Sequence, residues 1–221
     1  IYKKYMQYPL SKNKDKVVVL EYPNIEKKDI LIKKSSINFD NNKINCVFIG
    51  KLYNKIRHPQ YLFDLIDSLK DPNIILHIVG GFGSEFSTDF LDKYFSNKHN
   101  NIIYHGEVPP EEADCILMQS DILIHIGNTT VNSMPSKILD YISSGKPIVN
   151  IIKNKECPTI PYMETYPLSL NLFEEKGLSP KTAYDFKKFC YEKKGAVIPF
   201  EEIKKQYCFA TKEYVGLRIY N

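Results

Sequence analysis

Residues 44–50, with the sequence INCVFIG, form an almost continuously apolar run that ends at a glycine. Four similar runs follow along the chain, at residues 74–79, 102–105, 121–126 and 147–152. Short apolar runs of this kind are typical of strands that are buried on both faces of a sheet. The sequence therefore predicts five parallel strands, the first of which lies in this opening run.

Helical patterns separate these runs. Pro59 can begin a helix, and the apolar residues after it recur with the 3.6-residue period of an amphipathic helix, at Leu62, Leu65, Ile66 and Leu69. Further helices are predicted at residues 86–96, 110–118, 135–143, 180–194 and 200–210. Strands that alternate with helices predict an α/β fold, and right-handed crossovers then give a doubly wound, Rossmann-like parallel sheet.

Three segments of the chain differ in character. Residues 1–43 are polar and rich in Lys and Asn, with one strand candidate at residues 17–20, and the chain opens without a Met. We expect this segment to lead in from a preceding domain. Residues 44–174 are expected to form the Rossmann-like domain, and residues 175–221 a helical segment that packs on it.

Composition limits the kinds of ligand. The 221 residues are 43% hydrophobic and 25% charged, which suits a globular chain with one sizeable core. The net charge of only +4 does not favour nucleic-acid binding, which calls for a concentrated basic surface. A mild positive excess fits a small polyanionic ligand instead. No apolar stretch approaches the ~20 residues that a membrane-spanning helix needs, and no signal peptide is evident.

The five cysteines are odd in number and widely spaced, and no two form a C-x-x-C pair. This pattern argues against a structural zinc site and favours a reducing compartment. Cys46 and Cys115 lie in apolar segments and are expected to be buried thiols. We therefore predict no bound metal and a cytoplasmic location.

Ligands of doubly wound sheets bind beyond the carboxyl ends of the strands. Four of the five predicted strands end at a glycine, where the backbone can turn sharply or approach a ligand closely. The candidate ligand-binding residues at these ends are Gly50, Lys51, Gly80, Gly81, Gly106, Glu107, Val108, Gly127 and Asn128. Glycines also end strands where no ligand binds, so each loop taken alone has a purely structural interpretation.

The loop after the first strand has neither a G-x-G-x-x-G pattern nor a P-loop, so dinucleotide and P-loop nucleotide sites lose their main support. It carries three cations instead, at Lys51, Lys55 and Arg57. The planar fork of arginine can bind two phosphate oxygens at once, which suits a diphosphate. Lys55 is interpreted as a solvated residue.

Residues 132–140, NSMPSKILD, predict the start of a helix at another strand end. Ser133 and Ser136 can cap such a helix, and Pro135 is tolerated in its first turn. The free N–H groups of a helix N-terminus bind phosphate. Lys137 would add a full charge there.

Asp140 lies one turn further along the same helix. Its carboxylate could accept hydrogen bonds from ribose hydroxyls. An acid in a first turn is also favourable without any ligand, because it faces the positive end of the helix dipole. The residues alone leave these two roles open.

Five segments together resemble a known family: FIG at 48–50, IVG at 78–80, HGEV at 105–108, SDILI at 120–124 and MPSKILDYISSGKPIV at 134–149. They are similar to the C-terminal domain of GT-B glycosyltransferases, and most of all to the family-4, "group 1" type often found in bacterial surface-polysaccharide pathways. The resemblance runs from about residue 44 to residue 150, and its Pro-Ser-Lys…Tyr…Gly-Lys-Pro run is the most specific part.

The resemblance implies transfer of a sugar from a nucleoside-diphosphate donor to an acceptor hydroxyl, usually with retention and without a metal or other cofactor. Lys51 and Arg57 match the family's basic pair, which neutralises the diphosphate. The spacing around Arg57 is one residue longer than in the commonest version of the family. The family holds the base by backbone after the third strand, here around Glu107 and Val108.

The family's Glu-x7-Glu element falls on Asn132 and Asp140. The second acid contacts the ribose, and Asp140 keeps that chemistry. The first contacts the transferred sugar, and Asn132 keeps hydrogen bonding without the charge. Ser136 and Lys137 fall where the family meets the phosphates. Arg57, Lys137 and Asn132 are thus the expected catalytic residues, with the cations stabilising the leaving diphosphate.

The histidines are weaker candidates. His77 and His105 lie within predicted strands and His99 in a polar loop, so structural roles are expected for all three. His125, near the carboxyl end of its strand, stays a minor site candidate. His58 follows the arginine of the first loop and is expected to pack at a helix start.

The expected partners are a nucleotide-sugar donor, with UDP favoured over GDP, and an acceptor saccharide or lipid-linked saccharide. The acceptor would be held by a missing N-terminal domain, which would also mediate any peripheral association with the inner face of the membrane. Two alternatives stay open. One is a GT-B sugar-nucleotide 2-epimerase, and the other is a non-catalytic domain that binds a nucleotide sugar or a partner protein.

Overall fold

A computed structural model describes residues 20–27, 35–95, 101–130 and 134–220 of the chain. The strand candidate at residues 17–20 lies outside the described residues apart from Leu20, which is not in a strand.

The strands form one parallel, six-stranded sheet, with the order β3-β2-β1-β4-β5-β6. They are β1 Ile44–Ile49, β2 Ile74–Val79, β3 Ile102–Gly106, β4 Ile122–Ile126, β5 Ile148–Ile152 and β6 Ser169–Phe173. The five predicted strands are confirmed to within one residue at each end. The doubly wound, Rossmann-like α/β fold is confirmed as well.

Helices connect the strands and extend beyond the last one. They are α1 Gln60–Leu69, α2 Thr88–Phe95, α3 Pro110–Gln119, α4 Lys137–Ser143, α5 Ile160–Thr165, α6 Pro180–Lys193, α7 Phe200–Gln206 and α8 Lys212–Tyr220. Two short 3₁₀ turns, Glu174–Lys176 and Cys208–Ala210, follow β6 and α7. In the described part of the chain, no helix is long and apolar enough to cross a lipid bilayer.

Both faces of the sheet are covered, which explains why the inner strands β1, β2, β4 and β5 are apolar along most of their length. In β1, Cys46 and Phe48 join one core, which we call face A, and Val47 and Ile49 join the other, face B. Face A is covered by side chains of α1, α2 and α6, and face B by side chains of α3, α4, α5 and α7. Of the C-terminal helices, α6 therefore packs on face A and α7 on face B.

Two elements were not predicted. β6 lies at the edge of the sheet and only Leu172 of it is fully buried, so its sequence lacks the continuous apolar run of the inner strands. α5 has six residues, which is too short for a helical period to be read. The predicted helix at 200–210 ends earlier, at Gln206, where the chain turns into Cys208–Ala210.

The start of α4 also corrects the prediction. The helix begins at Lys137, so Pro135 precedes it and does not lie in its first turn. Ser136 occupies the N-cap position in αR geometry, and its side chain makes no capping hydrogen bond. Ser133, the other predicted cap, lies outside the described residues.

The cysteines are all free thiols. Cys46 is buried, with its sulfur 3.9 Å from that of Cys190, whereas Cys115 is only partly buried, contrary to expectation. Cys115 lies on α3 between Ala113 and Ile116, which pack on face B.

The strand order shows where the winding of the sheet changes direction. The crossovers from β1 to β3 run over face A, and those from β3 to β6 run over face B. The direction of winding therefore changes between the adjacent strands β1 and β4. In open α/β sheets, ligands bind in the crevice that opens beyond the carboxyl ends of strands at such a point.

Candidate functional site

Arg57 joins the loops that follow β1 and β4. Its Nε and Nη2 donate to Oδ1 of Asn128, at 3.2 and 2.8 Å, and its Nη1 donates to the Lys51 carbonyl at 3.3 Å. The backbone N–H of Thr129 also donates to the Ile56 carbonyl at 3.0 Å. These bonds fix the arginine directly beside the point where the winding of the sheet changes.

The Arg57 guanidinium is partly buried, and not all of its N–H groups have a hydrogen-bond partner in the described part of the chain. Burial lowers the pKa of Arg57 from its usual value. A guanidinium is nevertheless not deprotonated in proteins, so the side chain stays charged at neutral pH. A guanidinium has about five N–H donors, and its bonds to Asn128 and Lys51 use three of them. The remaining two are available for phosphate oxygens.

A second cation lies on α4. Lys137 Nζ is 3.6 Å from Oδ2 of Asp140, and the Lys137 side chain is partly exposed. Oδ1 of Asp140 accepts a hydrogen bond of 2.7 Å from Nδ2 of Asn24. Asn24 belongs to the segment before the sheet, and its carbonyl accepts a further bond from the Ser143 hydroxyl at 3.2 Å. This contact with Asn24 is a feature that the sequence did not suggest.

Tyr141 anchors α4 to the end of β1. The Ile49 N–H donates to the Tyr141 hydroxyl at 3.1 Å, and that hydroxyl donates to the Ile49 carbonyl at 3.3 Å. Burial raises the pKa of Tyr141, while the nearby charge of Arg57 opposes this rise and that of Asp140 adds to it. The fully buried Tyr141 therefore lies close to both the arginine of one loop and the acid of the helix.

The strand-end glycines allow three backbones to meet. Gly80 has φ +127°, and a Cβ added there would lie 2.0 Å from the Gly50 carbonyl oxygen, so only glycine fits. The Gly80 N–H donates to the Gly106 carbonyl at 2.7 Å. A Cβ on Gly81 would lie 2.3 Å from Oε1 of Glu107, which places the Glu107 side chain against Gly81.

The other predicted site residues make fewer contacts with the residues described above. Lys51 is exposed, with its Nζ 5.8 Å from the Tyr53 ring centroid. Val108 is partly buried against the core of face B, and Ser136 is exposed before α4. Asn132 lies outside the described residues, so its predicted contact with the sugar stays a prediction.

The buried histidines have side-chain partners. His77 is hydrogen-bonded to His105 at 2.9 Å and to Asn45 at 3.1 Å, which fits the predicted structural roles. Nδ1 of His125 lies 2.8 Å from Oδ1 of Asn150, and burial lowers the pKa of His125 to about 4. Its Nε2 has no hydrogen-bond partner within the described residues.

Among the described residues, no group of three or more His, Cys, Asp or Glu side chains is arranged to hold a metal ion.

The chain is similar to known glycosyltransferases in sequence and fold. A family model described as glycosyl transferases group 1 matches residues 43–158, which is more than half of the chain. No curated protein sequence matches it significantly.

Three solved structures share the fold at low identity. Anabaena HepE in complex with UDP is 14% identical, with a TM-score of 0.58 over 81% of this chain and 50% of that one. The lipopolysaccharide outer core galactosyltransferase WaaB is 14% identical, with a TM-score of 0.58 over 90% and 53%. WaaG, a glycosyltransferase involved in lipopolysaccharide biosynthesis, is 12% identical, with a TM-score of 0.53 over 80% and 44%. The chain thus spans about half the length of these structures.

Proposed function

The chain belongs to the group 1 glycosyltransferases, and we propose that it binds a nucleoside-diphosphate sugar and forms the donor-binding half of an enzyme that transfers this sugar to an acceptor hydroxyl. The observation that carries the proposal is the position of Arg57, which is held by Asn128 between two strand-end loops and keeps two free donors. A charged fork at this point suits a diphosphate.

Catalysis is proposed to be mainly electrostatic. Cleavage of the sugar–phosphate bond builds negative charge on the leaving diphosphate, which Arg57 and Lys137 would stabilise. Fixed cations need little rearrangement as that charge develops. Asn132 would hydrogen-bond the transferred sugar, and retention of configuration is proposed from the family.

UDP is the proposed nucleotide. HepE was solved with UDP and with UDP-glucose, which supports a uridine donor for a chain of the same fold. Asp140 would accept hydrogen bonds from the ribose, and the backbone around Glu107 and Val108 would hold the base. Gly80 and Gly81 lie at the same edge of the sheet, where Gly80 allows the close approach of the Gly50 backbone and Gly81 that of the Glu107 side chain.

The acceptor side is proposed to come from a second domain that precedes this one. This is supported by the length of the chain, which is about half that of the matched structures. WaaG and WaaB act in lipopolysaccharide synthesis by their descriptions, which supports a cytoplasmic role in surface-polysaccharide synthesis with a saccharide or lipid-linked acceptor.

A panel of nucleoside diphosphates tests the donor site. Isothermal titration of the chain with UDP, GDP, ADP and CDP should give binding that is tightest for UDP and weaker in Arg57→Ala. Absence of binding to every member of the panel would contradict the proposal.

The reaction products distinguish the two alternatives, a sugar-nucleotide 2-epimerase and a non-catalytic binding domain. Incubation of the enzyme with UDP-N-acetylglucosamine and NMR detection of its C2 epimer would identify an epimerase. A chain that binds UDP, yet transfers no sugar when joined to its preceding domain, would be a non-catalytic binding domain.

A further inference from the structure

A short segment before the sheet, residues 22–26, lies against α4, and we call it the strap. The side chain of Ile25 is buried in the core of face B, with 2% exposure. The Ser143 hydroxyl of α4 donates to the Asn24 carbonyl at 3.2 Å and accepts a bond from the Glu26 N–H at 3.4 Å. The backbone of the strap is therefore fixed on the helix that carries Asp140.

The side chain of Asn24 makes a separate contact. The attachment of the strap uses its backbone and Ile25, whereas Nδ2 of Asn24 donates to Oδ1 of Asp140 at 2.7 Å. Hydrogen bonds to an ionised group are shorter and about twice as strong as those between neutral groups. The carboxylate of Asp140 is therefore held firmly by a segment that lies outside the sheet and its crossovers.

The two oxygens of Asp140 face different partners. Oδ1 faces Asn24, whereas Oδ2 lies 3.6 Å from Nζ of Lys137. Lys137 is one of the two cations that we propose for the diphosphate, so Oδ2 faces the side of the proposed phosphate site. In a nucleoside diphosphate the ribose is joined directly to the diphosphate. A ribose hydroxyl would therefore meet Asp140 from the side of Lys137 rather than from the side of the strap.

The bond from Asn24 restricts the rotation of this carboxylate. The terminal torsion of an aspartate side chain is broad, so a carboxylate on a helix surface samples several orientations. The Asp140 side chain is 17% exposed and is bonded by Asn24 before any nucleotide arrives. An ionised carboxylate has about four acceptor positions, so the bond to Asn24 is compatible with a further bond from a ribose hydroxyl. A group that is already oriented loses less side-chain entropy when the ligand binds.

We propose that Asn24 is a positioning residue of the donor site, which holds Asp140 in the orientation that accepts a ribose hydroxyl. The contact between Asp140 and the ribose rests on the proposed function. Asn24 itself touches no ligand and acts through the carboxylate. The opposite role, in which Asn24 competes with the ribose for Oδ1, would make its removal strengthen nucleotide binding.

Calorimetry with UDP and 2′,3′-dideoxy-UDP tests this role. Asn24→Leu has nearly the same volume and removes the donor, while the backbone of the strap and Ile25 are unchanged. Its affinity for UDP should fall about two- to tenfold, the effect of leaving one side chain to be ordered on binding. Its affinity for 2′,3′-dideoxy-UDP, which lacks the ribose hydroxyls, should not change. Asn24→Ala removes the same donor with a smaller side chain and should give the same result.

Glu26→Gln is the matched control. Glu26 lies in the same strap, and its side chain pairs with Lys212 on α8 rather than with Asp140. This variant should leave the affinities for both ligands within about twofold, as expected for an exposed ion pair. Melting temperatures of all variants show whether any loss of affinity follows from a loss of stability.

A double variant gives a second readout. A positioning residue acts through its target, so the effects of changing both should not add. Asn24→Leu combined with Asp140→Asn should therefore have the same ratio of UDP to 2′,3′-dideoxy-UDP affinity as Asp140→Asn alone. A further change in this ratio would show that Asn24 acts on the nucleotide by another route.

Unchanged or tighter UDP binding in Asn24→Leu, or equal losses for the two ligands, would overturn the role of Asn24 and leave the donor site standing. Absence of UDP binding by the unaltered chain would contradict the proposed function itself, and the role of Asn24 with it.

Discussion

The guanidinium of Arg57 donates two hydrogen bonds to a single oxygen, Oδ1 of Asn128, across the boundary between the β1 and β4 loops. The arginine therefore has two tasks. It holds two loops together in the free protein, and by our proposal it presents a charged fork to the diphosphate. Variants of this residue should affect both stability and binding, which distinguishes it from a cation that is merely solvated.

Arg57→Ala should weaken UDP binding by about 1.5–3 kcal/mol, the range for hydrogen bonds to charged groups. The melting temperature of the free protein should also fall, because Asn128 loses both of its bonds from the arginine. Arg57→Lys should recover only part of the affinity, since an ammonium keeps the charge and loses the fork. Calorimetry and thermal melts measure the two effects.

Lys55 is the control for this loop, because it is exposed and lies two residues from the arginine. Lys55→Ala should leave the UDP affinity within about twofold, as expected for a screened surface charge. If Arg57→Ala binds UDP as tightly as Lys55→Ala does, the diphosphate site is misplaced.

Lys137→Ala should weaken UDP binding without changing the stability of the free protein. The lysine is partly exposed and its Nζ lies 3.6 Å from Asp140, a pair that contributes little to stability. The loss of affinity should be larger at 50 mM than at 300 mM salt, because salt screens a single exposed charge. Titrations of Lys137→Ala and Lys70→Ala at both salt concentrations test this, since Lys70 lies at the far end of α1. If Lys137→Ala and Lys70→Ala bind UDP with equal affinity at both salt concentrations, Lys137 is not part of the site.

The sheet was predictable where burial is complete. The inner strands have both faces covered, so their apolar runs carry a strong signal, as in β4, whose five residues are all buried. β6 is an edge strand, and its polar Asn171 interrupts the apolar pattern. The side-chain oxygen of Asn171 accepts a hydrogen bond of 2.9 Å from Nδ2 of Asn150. Its pairing depends on a neighbour 21 residues away, which composition does not reveal.

The site was predictable only as a set of candidates. Glycines and cations mark the strand ends in the sequence, but the partners of those residues do not. Asn128 lies 71 residues from Arg57, and Asn24 lies 116 residues from Asp140. Such contacts follow from the order of the strands and the path of the chain before β1.

Stability should fall as the pH decreases from 6.5 towards 4. Burial lowers the pKa of both His77 and His125 from the usual 6.5 to about 4. For His77, the nearby charge of His105 contributes to this lowering of the pKa. Between these values the unfolded chain binds more protons than the folded one, so acidification favours unfolding. Each histidine contributes a slope of up to about 1.4 kcal/mol per pH unit.

Urea unfolding at pH 5.0, 6.0 and 7.5 measures this slope, and His125→Gln should reduce it, because Gln can still donate to Asn150 and does not titrate. Most carboxylates titrate below this window. A free energy of unfolding that is the same at all three values would contradict the buried, neutral state of both histidines.

The last prediction concerns the ribose. Oδ1 of Asp140 accepts a bond from Asn24 at 2.7 Å, and the side chain is 17% exposed, so the carboxylate is oriented before any nucleotide binds. Asp140→Asn keeps an oxygen for Asn24, and the melting temperature should therefore change little. The variant loses the charge that a ribose hydroxyl would meet. Its affinity for UDP should fall by about 1–1.5 kcal/mol more than its affinity for 2′,3′-dideoxy-UDP, which lacks those hydroxyls. Calorimetry of both proteins with both ligands gives this difference directly. Equal losses would mean that Asp140 acts only through α4 and Asn24, and the ribose assignment would then be wrong.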